Sequence, residues 1–135
     1  MTGIKTVTIK QGAMMPGTPH EVFELWMDST KHAAFTGGEA KISRQVGGSF
    51  TVFDGWATGK NVKLVPDTTI VQTWRADDWP AGHFSTITVS LIKAPNGTKF
   101  LFTQTDVPAS KAKDIAQGWR DYYWAPLKAA LAKPS

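Results

Sequence analysis

Apolar residues recur at helical spacing in the last part of the chain, residues 110–132. Steps of three and four place them on one side of a helix, while lysine, aspartate, glutamine and arginine fall largely on the other sides. A stripe this broad needs a wide apolar partner, and a sheet is the natural one. We therefore expect one long C-terminal helix packed on a sheet. The stripe consists of Ile115, Trp119, Tyr122, Pro126, Leu127, Ala130 and Leu131, with Tyr123 and Trp124 beside it.

Two residues in this segment are unfavourable inside a helix. Gly118 costs about 1 kcal/mol relative to alanine. Pro126 cannot donate a hydrogen bond to the carbonyl of Tyr122, and its ring predicts a kink. The kink either follows the twist of the sheet or leaves room for a cavity beneath the helix. The sequence favours the first explanation, in which the kink follows the sheet, and keeps the cavity as an alternative.

Two short helices are predicted near the beginning of the chain. Residues 5–14 begin with an alternation typical of a strand. The run Thr18-Pro19-His20-Glu21 then has the pattern of a capping box with proline at the first helical position. A second helix is expected to start at Asp28 and to end at Gly37-Gly38.

Residues 39–107 consist of short β-rich runs separated by turn signals. Asp54-Gly55 and Asn96-Gly97 are typical of tight hairpins. Asn96-Gly97-Thr98 also matches a glycosylation acceptor, which we interpret as a turn because no secretion signal is present. Sequential strands joined by tight turns predict an antiparallel meander. The expected fold class is α+β, with an antiparallel sheet of about six or seven strands.

Composition and charge narrow the function classes. A length of 135 residues with 41% hydrophobic content predicts a single domain covering residues 1–135. The net charge of +4 comes from scattered basic residues, so no nucleic-acid partner is expected. No apolar segment has membrane-spanning length, and the N-terminus lacks the apolar run of a secretory signal. We expect a cytoplasmic protein with no membrane partner. The absence of cysteine excludes disulfides, thiol nucleophiles and thiolate metal sites.

No constellation of residues typical of catalysis is found. His20, His32 and His83 lack the helical spacing of a metal motif, and ordinary hydrogen bonding or a surface role is expected for each. No serine has a nucleophile-elbow context and no glycine run matches a phosphate loop. We expect no catalytic residue, no metal and no cofactor. The alternative of an enzyme that uses a single polar group in a substrate pocket is kept, because a fold does not determine a function.

The predicted inner faces of the strands and of the C-terminal helix define a candidate cavity. Apolar walls with a few polar groups are typical of a ligand site. They are equally typical of a filled core in which the two amides bond to backbone or water, and we favour the filled core. The candidate residues are Phe50, Val52, Ile70, Gln72, Trp74, Phe100, Phe102 and Gln104 on the strands, and Ile115, Trp119 and Tyr122 on the helix.

A tryptophan-containing loop at residues 79–84 is the candidate partner surface. Its residues are Trp79, Pro80, His83 and Phe84. A tryptophan in a loop can anchor a protein partner. The alternative is that Trp79 folds back and covers the sheet edge, and the sequence does not separate the two.

Several local motifs resemble one protein family when they are taken together. The combination is similar to the C-terminal domain of the activator of heat-shock-protein-90 ATPase, within the START-like (SRPBCC) superfamily, over residues 14–131. Each motif alone is weak. The motifs are Gly47-Gly48-Ser49-Phe50, Asp54-Gly55, Gly59, Leu64-Val65-Pro66, Ile70-Val71, Trp74-Arg75, Trp79-Pro80, Gly82-His83-Phe84, Thr86-Ile87-Thr88, Gln117-Gly118-Trp119 and Tyr122-Tyr123.

The resemblance implies a fold and a function. The fold is the helix grip, a curved antiparallel sheet around a long C-terminal helix. The function is non-enzymatic, co-chaperone-like binding to the N-terminal region of a heat-shock-protein-90-type chaperone. The activator also has a separate N-terminal domain for which this chain has no room, so weak binding is expected. Other members of the superfamily hold apolar ligands between helix and sheet, which implies the alternative of a carrier or sensor of a small hydrophobic ligand.

Overall fold

A seven-stranded antiparallel sheet forms one layer of the protein, and the C-terminal helix lies across its inner face. The structure, a computed structural model, describes residues 5–132. The strands follow the spatial order β1-β7-β6-β5-β4-β3-β2, so the first strand pairs with the last. The strands are β1 (Thr6–Met15), β2 (Lys41–Ile42), β3 (Ser49–Val52), β4 (Ala57–Val65), β5 (Thr69–Ala76), β6 (Ser85–Ala94) and β7 (Gly97–Pro108).

Two short helices, α1 (Pro19–Met27) and α2 (Ser29–Thr36), connect β1 to β2. The predicted capping box is present: Thr18 Oγ1 accepts from the Glu21 backbone N–H at 3.1 Å, and Glu21 Oε1 accepts from the Thr18 N–H at 2.9 Å. These hydrogen bonds from Thr18 lower the pKa of Glu21. Asp28 caps α2 in the same way through the Lys31 N–H at 2.9 Å.

The C-terminal helix is continuous over residues 112–132 but contains an irregular turn. It consists of α3 (Ala112–Trp119), a π-helical turn (Arg120–Trp124) and α4 (Ala125–Ala132). The backbone N–H of Ala125 donates to the carbonyl of Arg120, five residues earlier. This π turn ends just before Pro126, whose missing N–H could not complete an α-helical bond. The irregularity predicted at Pro126 is therefore distributed over the turn that precedes it.

The π turn changes which aromatic residues face the sheet. Regular helical spacing placed Tyr122 in the apolar stripe, whereas the structure leaves Tyr122 63% exposed. Tyr123 and Trp124 are buried in its place. An α-helix would rotate about 100° per residue, and the extra residue of the π turn alters that rotation. The predicted inward orientation of Tyr122 was wrong for this reason.

Three glutamines on different strands, the buried Gln72 and Gln104 and the half-buried Gln11, accept hydrogen bonds from buried tryptophans. Gln72 Oε1 on β5 accepts from the Trp26 indole at 3.1 Å, and Gln11 on β1 accepts from that of Trp124. Because the indole N–H is a donor only, each pair satisfies polar atoms that would be costly to bury alone. The filled-core interpretation predicted backbone or water as the hydrogen-bond partners of Gln72. In the structure, Gln72 accepts a hydrogen bond from an indole N–H instead.

The inner face of the sheet is otherwise apolar and packs tightly on the helix. Phe102 lies 4.6 Å from Trp119 and Phe100 lies 4.9 Å from Trp124, measured between ring centroids. These distances are within the range of favourable aromatic pairs. The α+β helix-grip fold predicted from the sequence is confirmed. Among residues 5–132, no helix is both long enough and apolar enough to cross a membrane.

Candidate functional site

An open apolar groove of about 220 Å³ lies at the N-terminal end of the C-terminal helix. We call it the end groove. It lies between the helix, the turn after β3 and the loop between β5 and β6. Its lining residues are Phe53, Trp56, Trp74, Asp78, Trp79, Lys111, Asp114, Ile115, Gly118, Trp119, Tyr122 and Tyr123.

Four buried aromatic side chains form the inner wall of the end groove. Trp74 on β5 lies 5.4 Å from Trp79 and 5.4 Å from Trp119, and Trp119 lies 4.6 Å from Tyr123. Each of these rings packs against at least one other, which restricts its movement. The wall is therefore a preformed aromatic surface.

The rim of the end groove combines exposed aromatics with one ion pair. Trp56 and Tyr122 are 38% and 63% exposed and present their rings at the opening. Lys111 Nζ lies 3.1 Å from Asp78 Oδ2, so the start of the helix is connected to the β5–β6 loop. Both side chains are solvated, and such a pair contributes little stability. The rim can therefore open at small energetic cost.

Gly118 keeps the helix side of the end groove open. A Cβ atom at this position would meet Tyr122 Cδ2 at 3.8 Å and would have no closer neighbour outside the local helix backbone. This distance is an ordinary van der Waals contact, so a small side chain is tolerated there. A long side chain would extend into the groove.

A polar network lies behind the aromatic wall. His32 Nδ1 donates to the Trp26 carbonyl at 3.0 Å, because a carbonyl can only accept. His32 Nε2 is then unprotonated and accepts from the Tyr123 hydroxyl at 3.3 Å. Burial lowers the pKa of His32 to about 4, although the bond to Trp26 acts in the opposite direction. Burial raises the pKa of Tyr123 well above its ordinary value. Both side chains are therefore neutral near pH 7.

The structure distributes the residues of the predicted cavity among three places. Trp74, Ile115, Trp119 and Tyr122 line the end groove. Phe50, Val52 and Gln72 border a void of only about 10 Å³ next to His32, and Ile70, Phe100, Phe102 and Gln104 lie in the packed core. The open space is thus at one end of the helix rather than beneath its middle.

The predicted partner surface is only partly exposed. Trp79 is 4% exposed. Its side chain therefore folds back onto the protein, as in the second of the two predicted alternatives, and does not project as an anchor for a partner. Arg75 Nη2 holds the loop by donating to the Trp79 carbonyl at 2.8 Å. His83 Nε2 bonds the carbonyl of Asp106 at 2.8 Å, Pro80 is exposed, and Phe84 is 43% exposed. Within this loop, Phe84 is the large apolar side chain available to a partner.

Several residues of the end groove were not predicted from the sequence. Phe53 and Trp56 flank the predicted Asp54-Gly55 turn, and their position on either side of a hairpin signal was the available clue. Phe53, Asp54 and Gly55 all have positive φ, between 51° and 90°. Around this turn, Phe53 packs on Tyr123 of the helix at 5.3 Å and Trp56 packs on Trp74 of β5 at 5.7 Å, between ring centroids. The sequence pattern places Lys111, Asp114 and Gly118 in the C-terminal helical segment but does not indicate that they line a binding site. No periodic pattern relates the helix start to a distant β-turn.

The groove combines an apolar lining with a few ionisable side chains at its rim. Among its ionisable side chains, Asp78 and Lys111 are occupied with each other, and Asp114 is exposed. In the described part of the chain, no three or more His, Asp or Glu side chains are grouped so that they could hold a metal ion. The arrangement can bury apolar or aromatic surface and place a polar group at the rim.

Comparisons with solved structures identify the same architecture in other proteins. An HSP90 activator from Plasmodium falciparum superimposes with a TM-score of 0.88 at 23% identity, covering 98% of this chain and 99% of the other. A protein from Chromobacterium violaceum gives a TM-score of 0.78 at 24% identity, covering 94% and 98% of the two chains. At these identities the likeness establishes the fold.

Sequence comparisons establish the family. The human activator of 90 kDa heat shock protein ATPase homolog 1 is 32% identical over 122 residues, which are 90% of this chain and 36% of the human protein. The chain therefore spans about a third of the curated relatives that it matches. The model of the family described as Activator of Hsp90 ATPase homolog 1-like protein matches residues 16–132. The resemblance inferred from the local motifs is confirmed, and the chain belongs to this family.

Proposed function

We propose that this protein is a co-chaperone-like binding protein whose partner is an Hsp90-type chaperone. The observation that carries the proposal is the family match over residues 16–132, which includes α1, α2, six of the seven strands and the C-terminal helix. Relatives whose sequences match this chain are named as activators of the chaperone's ATPase. The proposed activity is binding without catalysis by this chain.

We propose that binding through the matched region alone is weak. The matched region is about a third of the length of the curated relatives. Linking two binding modules raises the overall affinity by a factor of about 10²–10⁴ over either module alone. A region that supplies one set of contacts therefore binds more weakly than a longer relative would. Stimulation of ATP hydrolysis requires a separate assay from binding.

Titration of the fluorescently labelled protein with the Hsp90-type chaperone of its own host tests the proposal, with and without nucleotide. We expect saturable binding in the micromolar range. Phe84→Ala should weaken it, because Phe84 is exposed beside the loop and Arg75 lies over its ring at 5.9 Å. The matched control is Tyr122→Ala, another exposed aromatic, located at the end groove. Absence of binding at high micromolar chaperone would refute the proposal.

The end groove favours a second candidate function, the binding of a small hydrophobic ligand. Its volume of about 220 Å³ exceeds that of engineered cavities of about 150 Å³ that hold benzene. An aromatic ligand could pack on Trp74 and Trp119 while Trp56 and Tyr122 cover its outer side. Burial contributes about 25 cal/mol per Å² of apolar surface.

Thermal melts against a panel of lipophiles test this second function, together with native mass spectrometry of protein purified from its host. A ligand that binds the folded state should raise the melting temperature. Gly118→Leu should abolish the shift by filling the groove, whereas Gly118→Ala should preserve it. A panel without any shift, together with unliganded protein from the host, would exclude the second function.

A further inference from the structure

The outer face of the sheet, turned away from the C-terminal helix, carries hydroxyl side chains at neighbouring positions. Burial alternates along β5 and along most of β6, so every second residue points outward. The antiparallel register aligns these residues into rows that cross the strands. The three rows on β5, β6 and β7 are Thr73, Thr86 and Thr105; Val71, Thr88 and Thr103; and Thr69, Ser90 and Leu101.

Lysines lie at the ends of the middle row. Lys63 on β4 is opposite Val71, and Lys10 on β1 is opposite Thr103. Lys99 on β7 is in the same outward series and is opposite Met14. All three lysines are exposed, and none has a carboxylate within 4 Å in the described part of the chain. Their charges are therefore available to a partner.

Acidic side chains are concentrated away from this face. Among residues 5–132, Asp106 is the one carboxylate on a strand, near the end of β7 where its φ of 61° interrupts the alternation. The other carboxylates lie on the helices and in the loops. The strands, in contrast, carry Lys10, Lys41, Lys60, Lys63, Arg75, Lys93 and Lys99. The two layers of the protein thus differ in charge.

We propose that the outer sheet face is the surface that docks on an acidic surface of the chaperone. This inference rests on the proposed function and assigns it a surface. Lysines at the perimeter steer an acidic partner towards the face and fix its orientation. The hydroxyls between them can donate to carboxylates or accept from backbone and side-chain donors. Phe84, beside Arg75, adds an apolar contact at one end of the same face.

The spacing of the charges favours a folded protein over a nucleic acid. Lys10 and Lys63 are separated by four strand-to-strand steps, which is about 19 Å at 4.8 Å per step. Neutral hydroxyl and apolar side chains occupy the positions between them. A nucleic-acid surface instead places a cation near each of several successive phosphates. An acidic protein surface tolerates the wider spacing because its carboxylates are themselves dispersed.

A pair of charge reversals tests the location. Lys10→Glu with Lys63→Glu should weaken chaperone binding at least tenfold, which corresponds to about 1.4 kcal/mol. The matched control, Lys113→Glu with Lys128→Glu, changes the net charge equally but on exposed positions of the C-terminal helix. Its affinity should stay within about twofold of wild type. Equal weakening by the two double variants would overturn the proposal, because it would show an effect of net charge alone.

A second measurement separates this inference from the proposed function. Amide NMR shifts of the ¹⁵N-labelled wild-type protein are recorded on addition of poly-L-glutamate. Perturbation centred on Thr86, Thr88 and Thr103 supports the surface even if the chaperone does not bind. Perturbation confined to the helix layer, or none, overturns it. Larger shifts of the same amides with duplex RNA or phosphatidylserine vesicles would overturn the assignment to a protein partner.

Discussion

The indole N–H of Trp119 donates to Gln104 Oε1 at 2.8 Å, which joins the C-terminal helix to β7 in the centre of the core. Gln104 Nε2 in turn donates to Ser85 Oγ at 3.0 Å, and Ser85 donates to the Trp74 carbonyl at 2.7 Å. The buried Gln104 amide thus connects the helix with β6 directly and with β5 through Ser85. The polar groups of this network are satisfied only while the helix and the three strands are in place.

Truncation of Trp119 should be strongly destabilising. Trp119 is 3% exposed and packs on Phe102, Trp124 and Tyr123. We expect Trp119→Ala to lower the free energy of unfolding by about 3–5 kcal/mol, measured by urea denaturation. A loss below about 1 kcal/mol would place the side chain outside the core.

The hydrogen bond itself can be separated from the packing by a double-mutant cycle. Trp119→Phe leaves Gln104 Oε1 without its donor, and Gln104→Leu leaves the indole N–H without its acceptor. Each should cost about 1–3 kcal/mol, and the double variant should cost less than their sum because neither group is then left unpaired. Strict additivity would show that the two side chains do not interact.

Acidification should destabilise the protein through His32. Well above pH 6.5 the imidazole is neutral in both the folded and the unfolded protein. Between pH 6.5 and about 4 the unfolded chain binds a proton that the folded chain excludes. The free energy of unfolding therefore decreases as the pH is lowered through this range. The full contribution is on the order of 3 kcal/mol.

The measurement is a series of urea melts between pH 7 and pH 4 for wild type and for His32→Asn. The asparagine amide can still donate to the Trp26 carbonyl but does not titrate. The variant should therefore show a shallower fall in stability over this window. Identical pH dependence of the two proteins would contradict the role of His32.

Substitution of Gly118 by alanine should stabilise the protein. The position lies inside α3, has open space beyond its Cα, and has no positive φ. We expect a gain of up to about 1 kcal/mol in denaturant melts, from the higher helix propensity of alanine. Gly97→Ala is the contrasting control, because a Cβ there would lie 2.0 Å from the Met15 carbonyl oxygen. Destabilisation by both alanine substitutions would indicate that a Cβ atom at position 118 also lacks room.

Trp79 and Phe84 should respond differently to truncation, although both lie in or next to one loop. Trp79 packs on Trp74 at 5.4 Å and on His83 at 5.9 Å, so Trp79→Ala should cost about 3–5 kcal/mol. Phe84→Ala should cost less than about 1 kcal/mol. The comparison by thermal or urea melts also shows which variant is suitable for binding assays. A mild effect of Trp79→Ala would mean that the loop is not held against the sheet.

Local signals in the sequence were sufficient for the short helices, the turns and the α+β class, whereas the helix grip was implied by the family resemblance. Thr18 and Glu21 form the predicted capping box because the two residues are three positions apart and need no distant partner. The strand alternation around Ile70 and Gln72 likewise depends only on neighbours along the chain. These patterns are short-range, and local chemistry determines them.

The end groove could not be predicted in the same way. Its wall joins Trp74, Trp79 and Trp119, which come together only when β5, a loop and the helix are assembled. The sequence placed Gln72 and Gln104 on inner faces, but their indole partners lie 46 and 15 residues away. The inward orientation of Tyr123 rather than Tyr122 depends on one backbone bond, Ala125 N–H to the Arg120 carbonyl. A regular spacing rule has no means of detecting it.

The π turn at Arg120–Trp124 accommodates one extra residue without turning the second half of the helix away from the sheet. Five residues in a π turn rotate the chain by about as much as four residues of an α-helix. Removal of one residue there should therefore restore an ordinary α-helical path and leave Leu127, fully buried at present, facing the core. Conversion of the turn to α geometry without a deletion would instead rotate everything that follows by most of the roughly 100° of one residue. In this segment the chain should accept the loss of a single position more readily than α3 or α4 would.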